Sequence, residues 1–269
     1  MSGNGINISI IIPVLNGEEY IETLLSSILS QKCSQVELIF ADGGSTDRTI
    51  EIIKNAKNYY PNNIVLELFP NTPEYSGVGR AWNKAVSIAK GSIIGWLGAD
   101  DASVPGALSY VLEHFGKNSQ CQVIYGHCEV INENGKIIKV NKSTTVNFNT
   151  LAQGNNPISC PACFLSKKIF TEVGGVDDYG NDYDLFLKIA KKYPICAVDR
   201  VLGRFRIHST SETGNINKYI RTLKLDADVL YLHTNKYFSK FRCRYFLAKL
   251  IKFIGLGRFL ELYKYRLRG

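Results

Sequence analysis

The sequence predicts an α/β fold: a parallel sheet with helices on both faces, followed by a helical basic extension. Three observations predict it. Strand-like and helix-like segments alternate through the first hundred residues, the pattern that crossovers between parallel strands produce. Several β-branched runs stop abruptly at acids or glycines, as buried strands do at the sheet edge where ligands bind. The end of the chain turns to helical spacing and collects the positive charge.

The elements follow in order. Ile6 to Leu15 reads as a buried first strand that stops at Pro13-Val14-Leu15-Asn16-Gly17. Glu18 to Ser30 has apolar pairs at helical spacing. Val36 to Ala41 is a second strand, and a helix runs from Arg48 to about Tyr59. Ile64 to Phe69 is a third strand, Gly79 to Lys90 a helix, and Ile93 to Leu97 a fourth strand. Beyond Asp101 the pattern changes. Pro105 to Phe115 reads as a helix. Gln122 to Tyr125 and Cys128 to Ile131 read as two strands. Asn132 to Lys136 is a hairpin turn, with Ile137 to Val140 returning. Phe148 to Asn156 is a loop or short helix. Ser159 to Leu165 is a strand, Lys167 to Val173 a helix ended by Gly174-Gly175, and Asn181 opens another helix. Ile195 to Val201 is the last strand.

A chain of 269 residues suits one large domain, or a domain with an appendage. With 45 % hydrophobic and 11 % aromatic residues, it can bury a core and is not a disordered chain. From Lys236 to Gly269 there are ten Lys/Arg and one acid, Glu261; the preceding 235 residues carry 22 basic and 23 acidic side chains. A near-neutral body with a basic tail argues against nucleic acid as partner and points to an anionic partner for the tail. Seven cysteines at irregular spacing are no disulfide framework and suit a reducing compartment. Met1-Ser-Gly-Asn-Gly shows no signal peptide. The longest apolar runs, such as Ile8 to Leu15, fall far short of the roughly 20 residues that span a bilayer. The expectation is a cytoplasmic protein.

Two stretches carry candidate chemistry. The strand from Ile93 to Leu97 runs into Gly98-Ala99-Asp100-Asp101. Adjacent carboxylates at a strand's carboxyl end can hold a hard divalent cation, and that cation can hold phosphates. The alternative is an acidic turn before the helix at Pro105. The loop Asp42-Gly43-Gly44-Ser45-Thr46-Asp47 places an acid where it can accept hydrogen bonds from a ribose or a pyrimidine N–H. Its alternative is a tight turn with Ser45 or Thr46 capping the next helix. The loop is neither a P-loop nor a Gly-x-Gly-x-x-Gly fingerprint. Cys160-Pro161-Ala162-Cys163 has strand-like flanks rather than the helix N-terminus a redox pair wants, and no second pair completes a zinc site.

The pieces together resemble a known family. Ile8 to Asn16, Phe40 to Asp47, Asn83-Lys84-Ala85, Gly91 to Asp101, Tyr125-Gly126, Pro161 to Phe164 and Asp182-Tyr183-Asp184-Leu185 follow, in order, the motifs of inverting glycosyltransferases of family 2. The resemblance runs from residue 8 to about 210. It implies a GT-A fold, a Rossmann-like nucleotide-binding mixed sheet with helices on both faces. It divides the chain into a catalytic domain, 1–215, and a basic helical tail, 216–269. Within the domain, 1–102 would bind the donor and 103–215 the acceptor.

The same resemblance implies roles. Pro13, Asn16 and Asp42 match the donor-nucleotide pocket. Asp101 is the implied direct ligand of Mg²⁺ or Mn²⁺, with Asp100 facing the ribose or the ion's water shell. His208 falls where relatives place a residue beside the diphosphate and joins the metal site, unless it is a surface loop histidine. Asp182 matches the general base, although Asn181 replaces the acid that usually precedes it. Asp184 is the alternative base, but at about 200° around the helix it faces away from Asp182. Arg80 stands where many relatives carry an acid and is either a diphosphate contact or solvated. The implied activity is metal-dependent sugar transfer from a nucleotide sugar, UDP-linked in most relatives. The acceptor would be a saccharide in surface polysaccharide assembly. A non-catalytic nucleotide-sugar-binding or scaffold subunit is the alternative.

In the tail, Arg242, Lys249 and Lys252 form one stripe, and Phe246, Leu247, Leu250, Ile251, Phe253 and Ile254 cover much of the rest. Such a helix suits an anionic leaflet, which would put a peripheral protein at the inner membrane face beside a lipid-linked acceptor. The alternative is a helix packed on the body with its cations in solvent. A break is expected at Gly255-Leu256-Gly257.

Overall fold

The structure, a computed structural model, describes residues 7–69, 78–117, 120–178, 180–235 and 239–253. In chain order the elements are β1 (Ile8–Val14), α1 (Ile21–Leu29), β2 (Val36–Asp42), α2 (Thr49–Tyr59), β3 (Ile64–Leu68), α3 (Val78–Ile88), β4 (Ile93–Trp96) and β5 (Ala102–Ser103). There follow α4 (Ala107–Lys117), β6 (Val123–Ile131), β7 (Ile137–Asn141), α5 (Phe148–Leu151), β8 (Cys163–Ser166), α6 (Lys167–Glu172) and α7 (Asp182–Ala190). The last three are β9 (Cys196–Arg206), α8 (Ile216–Thr234) and α9 (Lys240–Phe253).

The strands form one mixed sheet in the order β3-β2-β1-β4-β8-β6-β9-β5, with β7 paired to β6. The first four are parallel, as the alternating pattern predicts. β8 then runs antiparallel between β4 and β6. Side chains of β1 alternate between two cores. Ile10 and Ile12 pack with Leu24, Ile53 and Leu108 from α1, α2 and α4. Ile11 packs on the other face with Ala85, Phe170, Phe186 and Leu230 from α3, α6, α7 and α8. Burial on both faces explains why these strands read as unbroken apolar runs.

The second half departs from the sequence reading in four places. The two strands around Gly126 are one strand, β6, whose register against β9 shifts between Tyr125 and Cys128. A Cβ on Gly126 would stand 2.3 Å from the Arg200 carbonyl, so only glycine lets the strands approach there. The segment before β8 is a 3-10 turn at Cys160–Ala162, because Pro161 has no N–H for a ladder. β9 continues to Arg206 instead of stopping at Val201, and β5 pairs antiparallel with it.

The fourth departure is the tail. It breaks at Asn235, whose φ of 57° ends α8 in a left-handed cap. The expected break at Gly255 lies outside the described residues. α8 packs on the body of the fold: Tyr219, Leu223, Ala227 and Leu230 share the core with α7. α9 contributes Phe241 and Ala248 to that same core. Among the described residues, no helix is long and apolar enough to cross a membrane.

The cysteine spacing also hid one pair. Cys121 and Cys196 form a disulfide between the starts of β6 and β9, with Cα atoms 6.3 Å apart. The other five cysteines are free.

Candidate functional site

A cleft of about 650 Å³ opens at the carboxyl ends of β1, β2 and β4. That size suits a nucleotide-sized ligand. One wall comes from the loops after β1 and β2, which are tied together. Asn16 Oδ1 accepts the Thr46 N–H at 2.8 Å, and the Asn16 N–H donates to Ser45 Oγ at 2.9 Å. Gly17 N–H donates to Thr49 Oγ1 and Glu18 N–H to Asp47 Oδ2. Asn16 holds a φ of 52°, a conformation that asparagine tolerates better than most residues. Pro13 and Asn16 line the cleft.

Asp42 is fully buried at the end of β2. Its Oδ1 accepts the Gly44 and Ser45 N–H groups at 2.9 and 3.0 Å, and its Oδ2 accepts the Ser45 hydroxyl at 2.5 Å. It therefore shapes the loop from beneath, while its neighbours Ala41 and Gly43 face the cleft. Asp42 itself does not line the cleft, and neither Ser45 nor Thr46 caps the next helix, whose N-cap is Arg48 without a side-chain cap bond.

The adjacent acids after β4 face different surroundings. Asp101 is 3 % exposed. Its Oδ2 accepts the Gly98 N–H at 2.9 Å and its Oδ1 the Arg206 N–H at 3.0 Å. Burial first, and the Asp100 charge second, push its carboxyl well above the usual range. The expectation that Asp101 is the direct cation ligand meets a physical obstacle, since both its oxygens are engaged by backbone and it lines no part of the cleft.

Asp100 does open to the cleft, and its Oδ2 lies 2.9 Å from His208 Nε2. His208 in turn meets Thr210 Oγ1 through Nδ1 at 2.9 Å, which orients the ring. One carboxylate oxygen and one imidazole nitrogen side by side fit a divalent cation whose remaining ligands come from phosphate and water. Among the described residues there is no cluster of three or more metal-ligating side chains.

Tyr20 and Arg206 went unnoticed in the sequence. The Arg206 guanidinium lies 4.6 Å from the Tyr20 ring centroid, and that ring packs 5.0 Å from His208. Arg206 Nε donates to the Asp100 carbonyl at 2.7 Å, so one buried side chain holds the acidic turn in place. Burial, helped by Glu19, pushes the Tyr20 hydroxyl up to about 12, and it remains protonated at neutral pH.

Asp182 opens α7 but does not cap it. Asn181 caps it, accepting the Asp184 N–H at 3.0 Å. Asp182 Oδ2 accepts the Cys160 thiol at 3.0 Å, and Cys160 lies close enough to feel both Asp182 and Asp101. Asp184 is buried and lies 2.7 Å from His233 Nε2 and 2.6 Å from Lys188 Nζ. It is held in a structural ion network. Arg80, its side chain 41 % exposed, pairs with Asp178, 61 % exposed, at 2.9 Å and does not line the cleft.

Residues 9–174 match the family model described as Glycosyl transferase family 2. This chain belongs to glycosyltransferase family 2. The glycosyltransferase is 32 % identical over 211 residues to the O-antigen biosynthesis glycosyltransferase WbnJ of Escherichia coli, covering 76 % of this chain and 81 % of WbnJ. It is 28 % identical over 227 residues to WfgD of E. coli, a UDP-Glc:alpha-D-GlcNAc-diphosphoundecaprenol beta-1,3-glucosyltransferase, covering 83 % and 85 %. The chain spans about a third of the length of three Rickettsia glycosyltransferases that it matches at 27–28 % identity.

The fold is GT-A. The structure matches that of Staphylococcus aureus TarS 1–349 in complex with UDP-GlcNAc with a TM-score of 0.63 at 17 % identity, covering 86 % of this chain and 68 % of that one. It matches the mannosyltransferase PcManGT of Pyrobaculum calidifontis, in complex with GDP-Man and Mn²⁺, with a TM-score of 0.61 at 17 % identity. That match covers 82 % of this chain and 63 % of the other.

Proposed function

We propose that this glycosyltransferase moves a sugar from a UDP-linked donor to a hydroxyl of a lipid-linked saccharide, with inversion, in the assembly of a surface polysaccharide. The observation that carries the reading is the Asp100–His208 pair opening onto a nucleotide-sized cleft. The names of WfgD and WbnJ support the acceptor and the pathway, and the TarS complex supports the nucleotide.

The reading exchanges the roles expected of the two acids. Asp100 and His208 hold a Mg²⁺ or Mn²⁺; Asp101 holds the turn. The PcManGT complex supports the choice of ion. When bound, the cation offsets charge developing on the leaving diphosphate. The paired loops around Asn16 and Asp42 position the nucleotide. Asp182 takes the proton from the acceptor hydroxyl. A single base on the acceptor side gives direct attack and inversion at the anomeric carbon. A lipid-linked acceptor supports a location at the inner face of the membrane.

The test is nucleotide-sugar hydrolysis and transfer with purified protein, a panel of UDP-, GDP- and dTDP-sugars, and Mg²⁺ or Mn²⁺. Metal-dependent release of one nucleoside diphosphate is expected, lost in Asp100→Ala with the fold retained. Asp182→Asn keeps donor hydrolysis and lowers transfer by about 10²–10⁴-fold. Metal-dependent turnover surviving in Asp100→Ala, or undiminished transfer in Asp182→Asn, sinks the corresponding assignment.

A further inference from the structure

Helices α8 and α9 enclose a groove of about 540 Å³ on the far side of α8 from the Asn181–Asp226 contact. Arg221 and Lys224 line it from α8, Lys249 and Lys252 from α9, and among the described residues no acid lines it. Tyr245 and Phe253 give it an apolar side. The α9 lysines lean over the groove: Lys249 Nζ lies 5.6 Å from the Tyr245 ring centroid, and Lys252 Nζ donates to Asn217 Oδ1 at 2.6 Å. Arg221 approaches Glu212 only at 3.4 Å, with both side chains exposed, which neutralises little.

The apolar side chains of α9 divide between two directions. Phe241 and Ala248 are buried in the body. Phe246, Leu250 and Phe253 recur at helical spacing on the opposite side and are 58 %, 56 % and 88 % exposed. The two sequence readings of the tail are therefore not exclusive. One face of α9 packs on the body, while the other offers an apolar strip flanked by cations. That combination is the pattern of an interfacial helix.

The charge selects the occupant. Residues 254–269 carry four Lys/Arg and one acid, and a second copy of the chain would bring the same cations, so neither complements the groove. We propose that the α8–α9 groove binds the phosphate headgroups of anionic phospholipids while Phe246, Leu250 and Phe253 enter the leaflet's interface. Its role rests on the lipid-linked acceptor proposed above. Neighbouring residues of α8 join the two sites: Asn217 lines the groove and Lys218 lines the donor cleft. Docking would thus set the cleft at the membrane surface.

The test is co-sedimentation with vesicles of phosphatidylcholine, with and without phosphatidylglycerol, scored beside nucleotide-sugar hydrolysis in vesicle-free solution. The protein should pellet with the phosphatidylglycerol vesicles and release from them in high salt. The triple variant Lys224→Gln, Lys249→Gln, Lys252→Gln should lose about a hundredfold in partitioning, at roughly tenfold or less per surface cation. Lys54→Gln, Lys57→Gln, Lys192→Gln, on remote exposed positions, should bind as wild type. Phe246→Ser with Leu250→Ser should weaken pelleting without changing hydrolysis. Equal binding to pure phosphatidylcholine, or full binding by the groove variant, overturns the proposal. So does displacement by inorganic tripolyphosphate while the apolar variant pellets normally, because the occupant is then a soluble anion. Hydrolysis without vesicle binding removes this proposal alone; vesicle binding without hydrolysis of any donor removes the donor reading alone.

Discussion

Asp100 and Asp101 are neighbours in sequence and opposites in environment. The motif announced that two carboxylates stand at the end of β4. Which of them faces the cleft depends on Arg206, 105 residues from Asp101, whose N–H captures Asp101. No local pattern encodes that. Cys160 is a similar case, since its value lies in a contact with Asp182 that spacing does not show. Burial and then the Asp182 charge push the Cys160 thiol well above its ordinary range, and burial does the same for Cys163. A raised thiol pKa leaves little thiolate, the reactive form, at mild alkaline pH. Iodoacetamide at pH 8 should therefore modify exposed Cys243 and spare Cys160 and Cys163, as read by peptide mass spectrometry. Rapid labelling of Cys160 in folded protein would mean that the thiol is not held against Asp182. The Cys-x-x-Cys pattern would then need a reactive reading after all.

At the scale of elements, the first half was legible because β1, β2 and β4 are buried on both faces and each ends in a loop with a recognisable motif. In the second half the helices and the hairpin were legible and the strand limits were not, because those strands owe their limits to distant partners. β9 extends to Arg206 because β6 accompanies it to Ile131, and β5 exists only as a pairing with β9. Gly203 marks a close approach between β9 and a turn of that half. A Cβ there would stand 2.0 Å from the Pro161 carbonyl, in the turn that carries Cys160. Gly203→Ala must push that turn away or bend β9. Overpacking of this kind costs about 1–3 kcal/mol, which urea unfolding would read as a lower midpoint with an unchanged slope. Because the same turn holds Cys160 against Asp182, transfer to acceptor should fall further than donor hydrolysis. Unchanged stability would show that the turn yields freely, and Cys160 could not then be positioning Asp182.

For the molecule as a whole, the seam that matters is the one between the two halves of the sheet. Three parallel neighbours build the floor of the cleft, and the β6–β9 pair carries Arg206 back to the acidic turn. The Cys121–Cys196 bridge ties the beginnings of those two strands and closes a separation of 75 residues. In the chain-entropy view, a loop of that length lets a disulfide stabilise the fold by about 4 kcal/mol, provided that the bond forms. Disulfides persist in oxidising surroundings, whereas the other cysteines and the proposed membrane face suit a reducing one. The two circumstances predict different proteins. Oxidised protein should unfold at higher urea than Cys121→Ser/Cys196→Ser, and a reductant should erase the difference. In reductant, wild type and variant should hydrolyse donor alike, because neither sulfur lines the cleft. Identical midpoints without reductant would mean that the thiols pack without bonding. The β6–β9 pairing would then depend on its ladder and core alone, in the cell as in the test tube.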